Sequence, residues 1–236
     1  MAKNLQENIV PAENQNVGSV FLDEPGDDIR VLFVGNSITK HAPKPQIGWT
    51  RDCGMAATCI DNDYVHILKR RILDIRPHAS FGIIQVADFE RRFETFDIQK
   101  EYRRGIDFDA DIIIMFFGAN VRKDYDDESD PAVSFGVRYR ELRCALDTKN
   151  SAFVIHSQGF YIRNKLDEEK KAAAEFFGDQ YVELGDIVTR EETHGEFNHP
   201  SDKGMREIAD KFWAVIEAQV RGYTPREKQA KLEKEI

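Results

Sequence analysis

The sequence predicts an α/β fold, a three-layer α/β/α arrangement around a five-stranded parallel sheet. Short apolar runs near 30–35, 80–86, 111–117, 152–156 and 181–184 alternate with helical patterns, the signature of consecutive βαβ units. Two of these runs end in a small residue followed by polar ones, Gly35-Asn36-Ser37 and Gly118-Ala119-Asn120. An open α/β sheet carries its chemistry at that end of its strands. With 236 residues, 41% of them hydrophobic, the chain can bury one sizeable core and suits a single domain.

Taken in order, residues 1–28 are polar and weakly patterned and read as an N-terminal arm, in which Ser19-Val20-Phe21-Leu22 is compatible with a short edge strand. The domain proper runs from 29 to 223. Helical periodicity falls near 63–75, 97–104, 132–147, 165–177 and 203–221, enough to cover both faces of a five-stranded sheet in flavodoxin-like order. Residues 224–236 form a charged C-terminal tail, either a helix with mixed-sign pairs or a solvated end.

The strand Val31-Leu32-Phe33-Val34 delivers Ser37 to the sheet edge through a turn that needs Gly35 for its backbone. A serine there is a candidate nucleophile, and alternatively a helix cap together with Thr39. A free serine is weakly nucleophilic at neutral pH and needs a base. His199 supplies a candidate, in a loop just ahead of the last helix, with Asp202 as that helix's cap. Asn120 closes the strand Ile112-Ile113-Ile114-Met115 and can donate to an oxyanion, with Gly118 and Ala119 leaving room for substrate.

Together these blocks resemble the SGNH (GDSL-like) hydrolases, a superfamily of esterases, lipases and carbohydrate deacetylases. Gly35-Asn36-Ser37-Ile38-Thr39 is similar to the first block, Gly118-Ala119-Asn120 to the Gly-x-Asn block and His199-Pro200-Ser201-Asp202-Lys203-Gly204 to the last, over about residues 29–220. The resemblance implies Ser37 as nucleophile, His199 as general base, and Asn120 with the backbone N–H of Ser37 as oxyanion donors. Two departures stand out. The family carries Asp three residues before the histidine, where this chain has Glu196, so either Glu196 completes a triad or serine and histidine act as a dyad held by a backbone carbonyl. The family's second oxyanion glycine is also missing, and Ala87 or Asp88 stands in that place.

Three segments are candidate substrate walls: the long connection 40–62 with Trp49, the charged run Asp88-Phe89-Glu90-Arg91-Arg92-Phe93, and His156-Ser157-Gln158-Gly159-Phe160-Tyr161. Trp49 suits stacking on a sugar ring, and alternatively packs the loop onto the domain. Glu90 suits binding of hydroxyls, and His156 is a competing base. The loops are similar to those of bacterial, carbohydrate-linked members of the family, which implies a serine esterase removing O-acetyl groups from sugars. A lipase or thioesterase of longer acyl chains and a non-catalytic carbohydrate-binding module are the alternatives.

The formal charge of −9 argues against affinity for nucleic acid or anionic membrane. The expected partner is a small-molecule or oligosaccharide ester, and the arm is compatible with a homodimer. Cys53, Cys59 and Cys144 lack metal spacing and read as free thiols, Cys144 in the core, so no metal or cofactor is expected. With no apolar leader at Met1–Asn8, a cytoplasmic location is expected.

Overall fold

The computed structural model describes residues 5–10, 19–24 and 26–225. Its strands are β1 (Ser19–Leu22), β2 (Arg30–Gly35), β3 (Ser80–Gln85), β4 (Ile112–Phe116), β5 (Phe153–Ser157) and β6 (Gln180–Val182). Its helices are α1 (Tyr64–Leu73), α2 (Ala87–Arg91), α3 (Ile98–Glu101), α4 (Arg103–Asp107), α5 (Phe135–Leu146), α6 (Asn164–Phe177) and α7 (Asp202–Gly222). The strands form one sheet in the order β1-β3-β2-β4-β5-β6. Strands β2 to β6 are parallel, in the flavodoxin-like order expected, and β1 adds an antiparallel edge along β3.

Strand alternation sorts the core into two layers. Val31 and Phe33 of β2, with Ile112, Ile114 and Phe116 of β4, face α1 and α7. Leu32 and Val34, with Ile113 and Met115, face the opposite side, where α5 and α6 pack. Helix α7 buries Met205, Ile208, Ala209, Phe212, Ile216 and Val220, a stripe at helical spacing. Its N-cap is Ser201, whose hydroxyl accepts from Gly204 N–H. Asp202, expected to be the cap, is instead the first helical residue, and its carboxylate accepts from Thr58 N–H, Thr58 Oγ1–H and Asn62 Nδ2–H. It thus ties the 40–62 connection to the last helix.

The differences from expectation are local. A helix, α2, follows β3 directly, too short to leave a periodic signal. The helix expected over 97–104 is two pieces meeting at Tyr102. Cys144 is exposed rather than in the core, because α5 turns that position outward. Most of the expected C-terminal tail, residues 226–236, lies outside the described residues, as do 1–4 and 11–18 of the arm. Among the described residues no helix is long and apolar enough to cross a membrane.

Gly35 is the tightest point of the sheet edge. A Cβ built there would lie 1.8 Å from Thr39 Oγ1 and 2.9 Å from the Phe116 carbonyl oxygen. Replacing Gly35 by Ala should therefore cost about 1–3 kcal/mol of stability through overpacking, read as a lowered midpoint of urea unfolding. An unchanged midpoint would show that the turn can relax without loss.

Candidate active site

The parallel register sets Gly35 beside Gln85 on β3 and beside Phe116 on β4. Three chain segments consequently leave the sheet at one level, towards Ser37, Glu90 and Asn120. The turn after β2 is closed by Thr39 and Lys40 N–H donating to the Asn36 carbonyl. No helix follows it, so Ser37 is not a cap. Its hydroxyl lies 2.7 Å from His199 Nε2.

The imidazole is fixed from behind. His199 Nδ1–H donates to the Phe197 carbonyl at 3.0 Å, which leaves the Nε2 lone pair facing Ser37. Phe197 and Asn198 both adopt left-handed backbone angles, φ 56° and φ 59°. That conformation is costly for a side chain as large as Phe and folds its carbonyl back onto the ring. The Tyr161 hydroxyl donates to the Asn198 carbonyl at 3.3 Å, and its oxygen lies 3.3 Å from Nδ1. His199 has no exposed surface, and burial pushes its pKa down to about 4, opposed by the Phe197 carbonyl and aided by His41 and His194 nearby. The resting imidazole is therefore neutral and able to accept the serine proton.

Glu196 is turned away from this arrangement. Its carboxylate pairs with Arg51 at 2.5 Å on the surface, and the Arg51 guanidinium stacks on the Trp49 ring at 4.3 Å. The geometry is that of a dyad oriented by a carbonyl, the second of the two arrangements the sequence allowed.

Asn120 is held at both ends of its amide. Nδ2–H donates to Glu90 Oε2 at 2.5 Å, and Oδ1 accepts from Asn8 Nδ2–H at 3.0 Å. Each amide nitrogen has two hydrogens, so one remains for a ligand. Of the two candidates after β3, the Ala87 N–H is taken by the Gln85 side-chain oxygen at 3.0 Å. Asp88, one residue further into the first turn of α2, is the candidate that remains.

The expected substrate-wall residues are corrected by their burial. Trp49 is fully buried, its indole N–H donating to the His41 carbonyl, because the 40–62 connection folds in as part of the core. His156 is buried between the Tyr139 hydroxyl at Nδ1 and Asp179 at Nε2, so it is no rival base. Glu90 is fully buried beneath the strand ends and cannot meet solvent-borne hydroxyls. A side chain at Gly118, φ 134°, would meet Lys170 and Leu166.

What reasoning from sequence missed is the arm. Glu7 accepts from Asn198 Nδ2–H through its carbonyl, and Asn8 reaches Asn120, so residues 5–10 lie across the site. Ser37 is only 2% exposed. Beside these residues lies a cavity of about 240 Å³, lined by Gln6, Glu7, Asn8, Ala119, Lys123, Asp126, Tyr161 and Arg163. No spacing in so weakly patterned a segment signals such docking.

No family model matches the chain, and no curated protein matches it. Solved structures share its fold. A two-domain esterase (CEX) active on acetylated mannans aligns with TM-score 0.56 and 16% identity, over 84% of this chain and 50% of that one. An active-site mutant of a family two carbohydrate esterase from Clostridium thermocellum aligns with TM-score 0.53 and 14% identity, over 81% and 64%. A catalytic mutant of Axe2, an acetylxylan esterase from Geobacillus stearothermophilus, aligns with TM-score 0.51 and 17% identity, over 83% and 95%. The fold implied by the sequence resemblance is thus the one found.

Two outcomes follow from the geometry of the base. Labelling of Ser37 by a fluorophosphonate should fall by about 10³-fold or more in His199→Ala, and stay within about threefold of the parent in Glu196→Gln, because the latter loses only a surface ion pair. Mass spectrometry of the labelled chain reads both. The labelling rate should also hold level as pH falls from 7 to 5 and drop only near the His199 value of about 4, since the neutral imidazole is the active form. A half-maximum near 6.5 would mean that the imidazole titrates as an exposed one.

Proposed function

We propose that the protein is a serine esterase that removes short acyl groups, O-acetyl above all, from carbohydrate. The observation that carries this reading is the 2.7 Å contact between Ser37 Oγ and His199 Nε2, with the ring's tautomer set by the Phe197 carbonyl. In the reaction His199 Nε2 takes the hydroxyl proton as Ser37 Oγ attacks the ester carbonyl. The oxyanion is held by the Asn120 Nδ2 hydrogen not engaged by Glu90, with the backbone N–H groups of Ser37 and Asp88 as further donors. His199 then gives its proton to the departing sugar hydroxyl. Water, activated by the same nitrogen, releases the acid and restores Ser37.

Support for an acetyl group and a sugar comes from two sides. The cavity beside the site is small and lined by amide and charged groups, which suit hydroxyls. For scale, a cavity of about 150 Å³ takes benzene, so there is room for one ring-sized group. Proteins of the same fold include esterases named for acetylated mannans and acetylxylan. A lipase or thioesterase would need an apolar channel, and a binding module would have no use for an aligned serine and histidine.

Hydrolysis of p-nitrophenyl acetate and butyrate by the protein and by its Ser37→Ala variant tests the reading. Turnover that depends on Ser37 and favours acetate is expected, followed by release of acetate from acetylated oligosaccharides. Equal rates for protein and variant on every ester would remove the assignment.

A further inference from the structure

We propose that Glu90 is the positioning residue of the oxyanion hole: its buried carboxylate joins the three strand ends and sets the Asn120 amide so that one Nδ2 hydrogen points to the acyl oxygen. The inference rests on the esterase reading above and assigns a role to a side chain that never meets substrate.

Glu90 follows β3 on α2 and has no exposed surface. Oε1 accepts from Asn36 Nδ2–H at 3.0 Å, next to the nucleophile, and from Gly118 N–H at 2.5 Å. Oε2 accepts from Asn120 Nδ2–H at 2.5 Å. All three partners are donors, as an ionised carboxylate requires. A buried carboxylate without such donors would be strongly disfavoured, and burial does push its pKa up while these contacts pull it down.

The contact decides which way Asn120 faces. An amide oxygen turned to a carboxylate would be repelled, so Nδ2 must face Glu90 and Oδ1 must face Asn8. The turn carrying Asn120 is gripped in the same way. The Phe117–Gly118 peptide gives its N–H to Glu90, and its carbonyl accepts from Lys170 Nζ at 3.1 Å. Lys170 is itself buried and paired with Asp167 at 2.7 Å. Both poles of one peptide plane are thereby fixed, two residues before the amide that does the work.

The test is a double-variant cycle on ester hydrolysis with E90Q, N120A and E90Q/N120A. In E90Q an NH₂ group replaces one acceptor and faces a donor. We expect kcat to fall about 10²-fold, KM to stay within about twofold, and the acid limb of the pH profile to stay in place. E90Q should cost far less in the N120A background than in the parent, since the Asn120 donor is already gone and only the contacts to Asn36 and Gly118 remain to be lost. Independent of turnover, the Asn120 side-chain amide signals in a ¹⁵N NMR spectrum, assigned by their loss in Asn120→Asp, should move in E90Q. An E90Q enzyme with parental kcat, losses that multiply in the double variant, or unmoved amide signals would each overturn the proposal. If E90Q does not fold, E90D, which keeps the charge one methylene short, carries the same comparison. If no variant nor the parent hydrolyses any ester, the esterase reading falls and the amide signals alone decide the positioning.

Discussion

The register of three parallel strands is the constraint from which the site follows. Gly35 lies level with Gln85 and Phe116, so the segments leaving β2, β3 and β4 emerge side by side. Apolar alternation does little to enforce this, because Val31 and Phe33 on one face and Leu32 and Val34 on the other are all buried. The strand ends are more discriminating. Only a residue without a Cβ fits between Thr39 and the Phe116 carbonyl, and only with the strands level can one carboxylate touch Asn36, Gly118 and Asn120 together.

The His199 ring is oriented by backbone where a second acid would be the usual device. A carbonyl carries only partial charge, so it orients the imidazole and fixes its tautomer while stabilising the imidazolium less than a carboxylate would. Two consecutive left-handed residues, at a cost of order 1–3 kcal/mol each, put that carbonyl in place. The turn persists because its neighbours hold it: Gly195 N–H donates to the His199 carbonyl, and Tyr161 reaches the Asn198 carbonyl. Loop geometry does here what side-chain charge does elsewhere.

The sequence disclosed those parts of the site that depend on local pattern. Ser37 and Asn120 each end an apolar run and His199 precedes an amphipathic helix, so their positions follow from strand and helix boundaries. Glu196 was out of reach because its direction depends on the φ of Phe197, which nothing in Glu196-Phe197-Asn198 advertises. Glu90 sits in a run of charges that reads as a solvated face, and its burial comes from three strands meeting above a helix of five residues. Trp49 and His156 have the chemistry of ligand contacts, but the folding of the 40–62 connection into the core and the depth of β5 in the sheet remove them from solvent. The single helix expected over 97–104 breaks at Tyr102, whose φ of −109° and ψ of 16° no propensity marks.

The contacts that complete the site join distant parts of the chain. Ser37 and His199 are 162 residues apart, and the Glu7 carbonyl meets Asn198 across 191. Closing such loops comes late in folding, after the βαβ units that bring their ends together. A nascent chain shorter than about two hundred residues therefore lacks the imidazole beside Ser37 and the Asn198 contact of the arm, whose Asn8 still has Asn120 to meet. On the proposed reading, the pairing of serine with histidine forms only once the segment just ahead of α7 has docked.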